Sequence, residues 1–256
     1  MKLTICELQN HPDRFQEDWA KLTAHVQNEG SDLVLLPEMV FYPWFPSTRP
    51  FQSEIWEAAV AAHEEWENRL NDLAPALVLG SRPINHGNQR LNQGFIWKRK
   101  GGLSPSHTKY YLPDEEGFWE ASWYHKGNGV FNPIRHDDLK IGFAICTDLW
   151  FFQHARSYGR EGVHLIAVPR ATPEGSLETW LAGGRASAVV SGAYCISSNR
   201  YALKTENVCL GGMGWIIGPD GEVLGLTSQE APFLTLDIDL EKANQAKKTY
   251  PRYVRE

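Results

Sequence analysis

The run Ile141-Gly142-Phe143-Ala144-Ile145 is apolar at every position and is closed at once by Cys146-Thr147-Asp148. A strand of this kind has no polar face to give to water, so it reads as a parallel strand buried on both sides. A polar turn directly after it sits at the carboxyl end of a sheet, where open α/β sheets bind ligands. Two other segments behave alike. Leu33-Val34-Leu35-Leu36 runs into Pro37-Glu38, and Ser106-His107-Thr108 leads to Lys109 before Tyr110-Tyr111-Leu112-Pro113. Read singly, each has a plain alternative: an inert core thiol, a solvated carboxylate past a strand, a surface cation.

Strand and helix patterns alternate along the chain. Residues 3–8 read as a strand, 15–28 as an amphipathic helix stopped by Gly30, and 32–36 as a strand. Residues 52–73 read as one long helix with Ile55, Ala58, Ala62, Trp66 and Leu70 on its apolar face. A short strand is expected at 76–80, a turn at 85–88, and a hairpin over 94–110. Strands are expected at 130–135, 139–146, 163–168 and 193–198, with helices over 152–160 and 177–190. A second hairpin turns at Pro219-Asp220-Gly221, and residues 234–240 alternate as a half-buried strand should. The pattern is α/β with several antiparallel pairs. With no repeat or linker in 256 residues, one domain over 1–256 is expected, with 242–256 as a C-terminal arm or frayed end.

The composition narrows the function classes. A formal net charge of -6 argues against nucleic acid as a partner, which needs a basic patch. The four cysteines (Cys6, Cys146, Cys195 and Cys209) show no CxxC spacing and no His cluster completes a metal site. Cys6, Cys195 and Cys209 read as core thiols, with Cys195 in mid-strand. No membrane span and no cofactor motif is present. No G-x-S-x-G elbow occurs either. A cytoplasmic protein with no cofactor and no metal is expected.

Together the three strand-end segments resemble the nitrilase superfamily, the carbon–nitrogen hydrolases. The stretch from Lys109 to Glu120 is similar to that family's segment between its Lys and its second Glu, and the likeness continues through Trp180, Arg185-Ala186, Tyr194, Ser198-Asn199-Arg200 and the 211–225 hairpin. The resemblance implies a four-layer α-β-β-α sandwich that pairs into a homodimer or higher homo-oligomer. It implies hydrolysis of a non-peptide C–N bond in a small linear amide or N-carbamoyl compound. Cys146 is then the nucleophile, Glu38 the general base and acid, and Glu120 the residue orienting Lys109. Lys109 and the N–H of Thr147 become the oxyanion donors. Glu115 and Glu116 compete with Glu120 for its role. Thr147-Asp148 replaces the Trp-Glu usual in true nitrilases, which favours amides over nitriles. Arg170 is a candidate grip for a substrate carboxylate, against an ion pair with Glu174 or Glu178. Tyr42 is a candidate pocket wall. A nitrilase, a soluble acyltransferase using the same thiol, and a catalytically silent interaction protein remain the alternatives.

Overall fold

The computed structural model describes residues 1–74, 76–202 and 208–254. In chain order the elements begin with β1 (Lys2–Gln9), α1 (Pro12–Glu29), β2 (Leu33–Leu35), α2 (Ser53–Glu67), β3 (Leu77–His86) and β4 (Gln89–Lys98). They continue with β5 (Gly102–Thr108), α3 (Glu120–Trp123), β6 (Ile134–His136), β7 (Leu139–Phe143), α4 (Phe152–Arg160) and β8 (Leu165–Arg170). The last are α5 (Leu177–Ser191), β9 (Tyr194–Tyr201), β10 (Trp215–Ile217), β11 (Val223–Leu226), β12 (Phe233–Asp237) and α6 (Leu240–Ala246).

The strands form two sheets. One runs β12-β1-β2-β3-β4-β5, the other β11-β10-β9-β8-β7-β6. The central strands are parallel in each, and antiparallel strands flank them. The sheets meet in a short parallel ladder in which Glu7, Leu8 and Gln9 of β1 pair with Asn199, Arg200 and Tyr201 of β9.

Alternation along the strands explains the layers. Leu3, Ile5, Leu33, Leu35, Leu77 and Leu79 face Ile141, Phe143, Leu165, Ala167 and Ile196 in a dry interior between the sheets. On the outer side of the first sheet, Val34, Leu36, Val78 and Phe95 pack under Phe15, Trp19, Leu22 and Val26 of α1. On the outer side of the second, Ile166, Val168 and Cys195 pack under Tyr158 of α4 and Trp180 and Ala188 of α5. Strands covered on both faces must be apolar throughout, which is the pattern seen in the sequence. The result is the expected α-β-β-α sandwich.

Several details differ from the sequence reading. The expected single helix over 52–73 ends at Glu67 and tightens into a 3-10 turn, Asn68–Leu73. The strand expected at 76–80 runs on to His86, because β4 pairs with it through the two-residue turn Gly87-Asn88. The thiol Cys209, expected in the core, is exposed, while Cys6 and Cys195 are buried. The C-terminal segment is anchored, since Arg252 donates to Ala246 O, Val189 O and Asp220 Oδ1, and Arg156 donates to the carbonyls of Arg252 and Val254. Residues 255–256 of the expected arm lie outside the described residues.

Candidate active site

Four side chains expected from the sequence converge, three of them just past the ends of strands. Glu38 follows β2 and is fully buried, and its N–H donates to Arg170 O at the end of β8 (3.2 Å). Lys109 follows β5, is also fully buried, and lies 2.8 Å from Glu38 Oε1 and 2.5 Å from Glu120 Oε2. Glu120 opens α3, and Tyr124, one turn on, donates its hydroxyl to the same carboxylate. Asn92 of β4 donates to Glu38 Oε1 at 2.8 Å. Glu38 Oε2 and Glu120 Oε1 are buried and have no hydrogen-bond partner among the described residues. Two buried acceptors left open are costly unless a reactant supplies the donors.

Cys146 begins the 3-10 turn Cys146–Trp150 after β7, at a φ of +47°. For a non-glycine residue this left-handed conformation costs on the order of 1 kcal/mol. The preceding strand is pinned by α4. Tyr158 donates its hydroxyl to Phe143 O (2.9 Å) and receives the N–H of the same residue (3.2 Å). Its ring lies so close that a Cβ on Gly142 would come within 2.6 Å. Glycine is therefore required four residues before the thiol.

The electrostatics of the cluster follow from burial and spacing. Burial alone would lower the Lys109 ammonium, but the carboxylates of Glu120 and Glu38 more than offset it and hold the lysine above its ordinary range. Burial pushes Glu120 up to about 7, opposed by Lys109 and reinforced by Glu38. Burial pushes the Cys146 thiol well above its usual value, and Glu38 adds to this while Lys109 pulls the other way. Burial thus favours the protonated thiol over the thiolate at neutral pH.

Cys146 and Glu120 open onto a cavity of about 310 Å³. Its wall also includes Thr147, Trp150, Trp180, Phe118 and Glu115. Thr147, expected as an oxyanion donor, lies on this wall. Glu115 is on the wall but exposed, so of the competing carboxylates only Glu120 reaches Lys109.

Two expected contacts are displaced. Arg170 is fully buried and spends its guanidinium within the chain. Nε donates to Ser197 Oγ (2.7 Å), Nη1 to Thr172 Oγ1 (2.8 Å) and Nη2 to Met213 O (2.6 Å), and the group lies 3.8 Å above the Trp215 ring. It pairs with neither Glu174 nor Glu178, and it is not on the cavity wall. Tyr42 is also off the wall, because Arg200 draws the carbonyls of Met39 and Tyr42 inward (3.0 and 2.7 Å) and the Tyr42 ring packs against Phe45.

One residue that sequence reasoning did not single out ties the site together. Asp148, 1 % exposed, accepts the N–H groups of Tyr110 and Tyr111 on Oδ1 (3.2 and 3.0 Å) and the N–H of Ile145 on Oδ2 (3.2 Å). His107 Nε2 lies 2.9 Å from Oδ2. One carboxylate therefore clamps the residue before Cys146 to the two residues after Lys109. Only its place two residues past the thiol hinted at this. Asp148→Asn replaces one acceptor oxygen by an N–H₂ facing donors. It is expected to cost about 1–3 kcal/mol of stability and to lower kcat roughly a hundredfold with little change in KM. Thermal unfolding and steady-state kinetics of the one variant check both effects. Unchanged kcat would mean the clamp is not needed for alignment.

A family model described as carbon-nitrogen hydrolase matches residues 3–248. The chain is 26% identical to the chloroplastic omega-amidase of Arabidopsis thaliana, over 90% of this chain and 65% of that protein. It is 25% identical to the omega-amidase NIT2 of Xenopus tropicalis, over 90% of this chain and 85% of that one. The crystal structure of a carbon-nitrogen hydrolase from Helicobacter pylori G27 superposes with a TM-score of 0.84 at 21% identity, covering 98% of this chain and 94% of that chain.

Proposed function

Since the chain belongs to the carbon–nitrogen hydrolases, we propose that it hydrolyses the C–N bond of a small linear amide or N-carbamoyl compound through an acyl-enzyme on Cys146. The observation that carries this reading is the buried Glu38–Lys109–Glu120 cluster beside a strained, cavity-facing thiol. Its relatives among the omega-amidases support an amide as substrate.

In the proposed reaction Sγ of Cys146 bonds to the amide carbon while Glu38 takes the thiol proton on its open oxygen. The carbonyl oxygen becomes an oxyanion, held by the Lys109 ammonium and the N–H of Thr147. First-turn N–H groups have no partner within their own helix, so that donor is available. Losing one such donor typically costs about 3 kcal/mol, roughly a hundredfold in rate. The C–N bond then breaks as Glu38 returns the proton to nitrogen and ammonia leaves. Water attacks the thioester, Glu38 takes its proton, the C–S bond breaks, and the sulfur recovers the proton. Glu120 keeps Lys109 charged and placed throughout. The protonated resting thiol fits this sequence, because one carboxylate serves as acceptor and donor in turn.

The same reading includes one domain, a cytoplasmic location and a homodimer or larger assembly. Four free thiols fit a reducing compartment. The exposed rings of Tyr250 and Tyr253 on the anchored C-terminal segment offer a second copy an apolar contact. Among the described residues no helix is long and apolar enough to cross a membrane.

The test is ammonia release from aliphatic amides, ω-amides, N-carbamoyl compounds and nitriles, with mass spectrometry of Glu38→Gln after each. Amide turnover is expected in the native protein, with neither ammonia release nor an acyl mass on Cys146 in the variant, which lacks the base that takes the thiol proton. Turnover of nitriles alone would favour the nitrilase alternative. Faster acyl release with hydroxylamine than with water would favour a transferase.

A further inference from the structure

The charge on the cavity wall is one-sided. Among the described residues that line it, the ionisable side chains besides the Cys146 thiol are the carboxylates of Glu115 and Glu120, and none is Lys, Arg or His. Two nearby cations are already committed. Lys109 is fully buried between Glu38 and Glu120. Arg170 is fully buried and bonded to Ser197, Thr172 and Met213. Arg170 lies off the wall, and the Lys109 N–H not directed at a glutamate is the one assigned above to the oxyanion, so neither is left for a carboxylate brought in by a substrate.

The mouth strengthens the bias. Glu115 belongs to an exposed acidic run, Asp114-Glu115-Glu116, in a tight turn where Phe118 N–H donates to Glu115 O (2.9 Å) and Gly117 has a φ of +81°. That turn holds Glu115 at the rim and Phe118 on the wall. On the wall too, the rings of Trp150 and Trp180 lie 5.0 Å apart. An indole face attracts a cation, and tryptophan does so best among the aromatic side chains. Deeper in, Glu120 Oε1 is buried without a partner on the same wall. A cleft lined by one sign of charge with apolar walls concentrates ligands of the opposite sign. A carboxylate entering it would lose water and gain no cation.

We propose that the site selects amides or N-carbamoyl compounds whose remote end carries a positive charge, an alkylammonium or similar group, and disfavours those ending in a carboxylate. The proposal rests on the hydrolase reading for its chemistry, and on the wall composition for its specificity.

Three matched compounds test it: 5-aminopentanamide, pentanamide and glutaramate, which share an amide end and differ at the tail. The expected order of kcat/KM is ammonium, neutral, carboxylate, with about tenfold or more between first and last. Raising the salt should narrow that ratio. Glu115→Gln should narrow it severalfold as well, which a purely steric preference would not show. Calorimetric binding of the three compounds to Cys146→Ala reads the same order without turnover. Should none be hydrolysed while the ammonium compound still binds most tightly, the specificity stands and the hydrolase reading falls. Glutaramate binding or reacting as well as 5-aminopentanamide would overturn the proposal, and so would no binding of any of the three.

Discussion

Cys146→Ala is expected to release no ammonia above the background rate from any amide the native protein hydrolyses. Removing the nucleophile of a covalent mechanism typically costs on the order of 10⁴–10⁶ in kcat, because the groups around it act as a unit. The fold should survive. Alanine keeps the backbone no less strained than cysteine at φ +47°, and the lost sulfur removes about 1 kcal/mol of burial. Cys146→Gly makes the sharper comparison. It loses the same contacts and somewhat more, yet relieves the left-handed strain, also worth about 1 kcal/mol. The glycine variant should therefore unfold at a temperature equal to or above that of the alanine variant, and both should be inactive. Residual turnover in either, or loss of activity in Cys195→Ala instead, would remove Cys146 from its role.

Lys109→Ala is expected to damage stability as well as rate. The ammonium is the cation that Glu38 and Glu120 share at 2.8 and 2.5 Å, with all three side chains fully buried. Without it two carboxylates face each other in a medium of low dielectric. Breaking a buried pair in this way commonly costs about 3–5 kcal/mol. The variant can lessen the penalty by protonating the acids, and this fixes the pH dependence. A carboxyl whose folded pKa is raised binds its proton in the native state where the unfolded chain has released it. Stability then falls as pH rises from the unfolded value. Glu120 already stands at about 7 with Lys109 present, and losing the lysine moves it further up. The deficit relative to the native protein should be small near pH 5 and large near pH 8. Urea unfolding at the two values reads it directly, and a deficit independent of pH would mean the carboxylates are not both charged in the native site. Turnover should fall by about a hundredfold or more.

The two sides of the site were not equally readable in the sequence. Glu38 and Cys146 stood out because a run of apolar residues ended at a polar one, and a strand buried on both faces can end in no other way. Lys109 and Glu120 were distinguished from neighbouring acids and cations by the family resemblance, since nothing in their spacing said that the ten residues between them would fold back to bring them together. Arg170 was misjudged for a physical reason. Every residue of β8, Leu165–Arg170, is buried, so alternation gives no clue to which way its last side chain turns. Tyr42 depended on Arg200, whose pull on the Met39 and Tyr42 carbonyls comes from a strand some 160 residues away in sequence. Asp148 was invisible as a clamp because its partners come from His107, Tyr110, Tyr111 and Ile145. The identity of those partners is a property of the assembled sandwich.

The short ladder between β1 and β9 has a consequence for how catalysis fails. Glu38, the proposed base, and Lys109, the proposed oxyanion donor, hang from the first sheet, while the sulfur hangs from the second. The reaction is divided between two halves that pair backbone to backbone over three residue pairs and are otherwise joined by side-chain packing and by cross-sheet hydrogen bonds such as Glu38 N–H to Arg170 O and Arg200 to the Met39 and Tyr42 carbonyls. Neither half carries a working fragment of the chemistry. Competence is thus a property of docking, and a chain with all its strands formed but its halves slightly parted would be inert. Until the two halves dock, the thiol and the carboxylate stay apart, so a chain that has not made that contact is expected to show no hydrolytic activity.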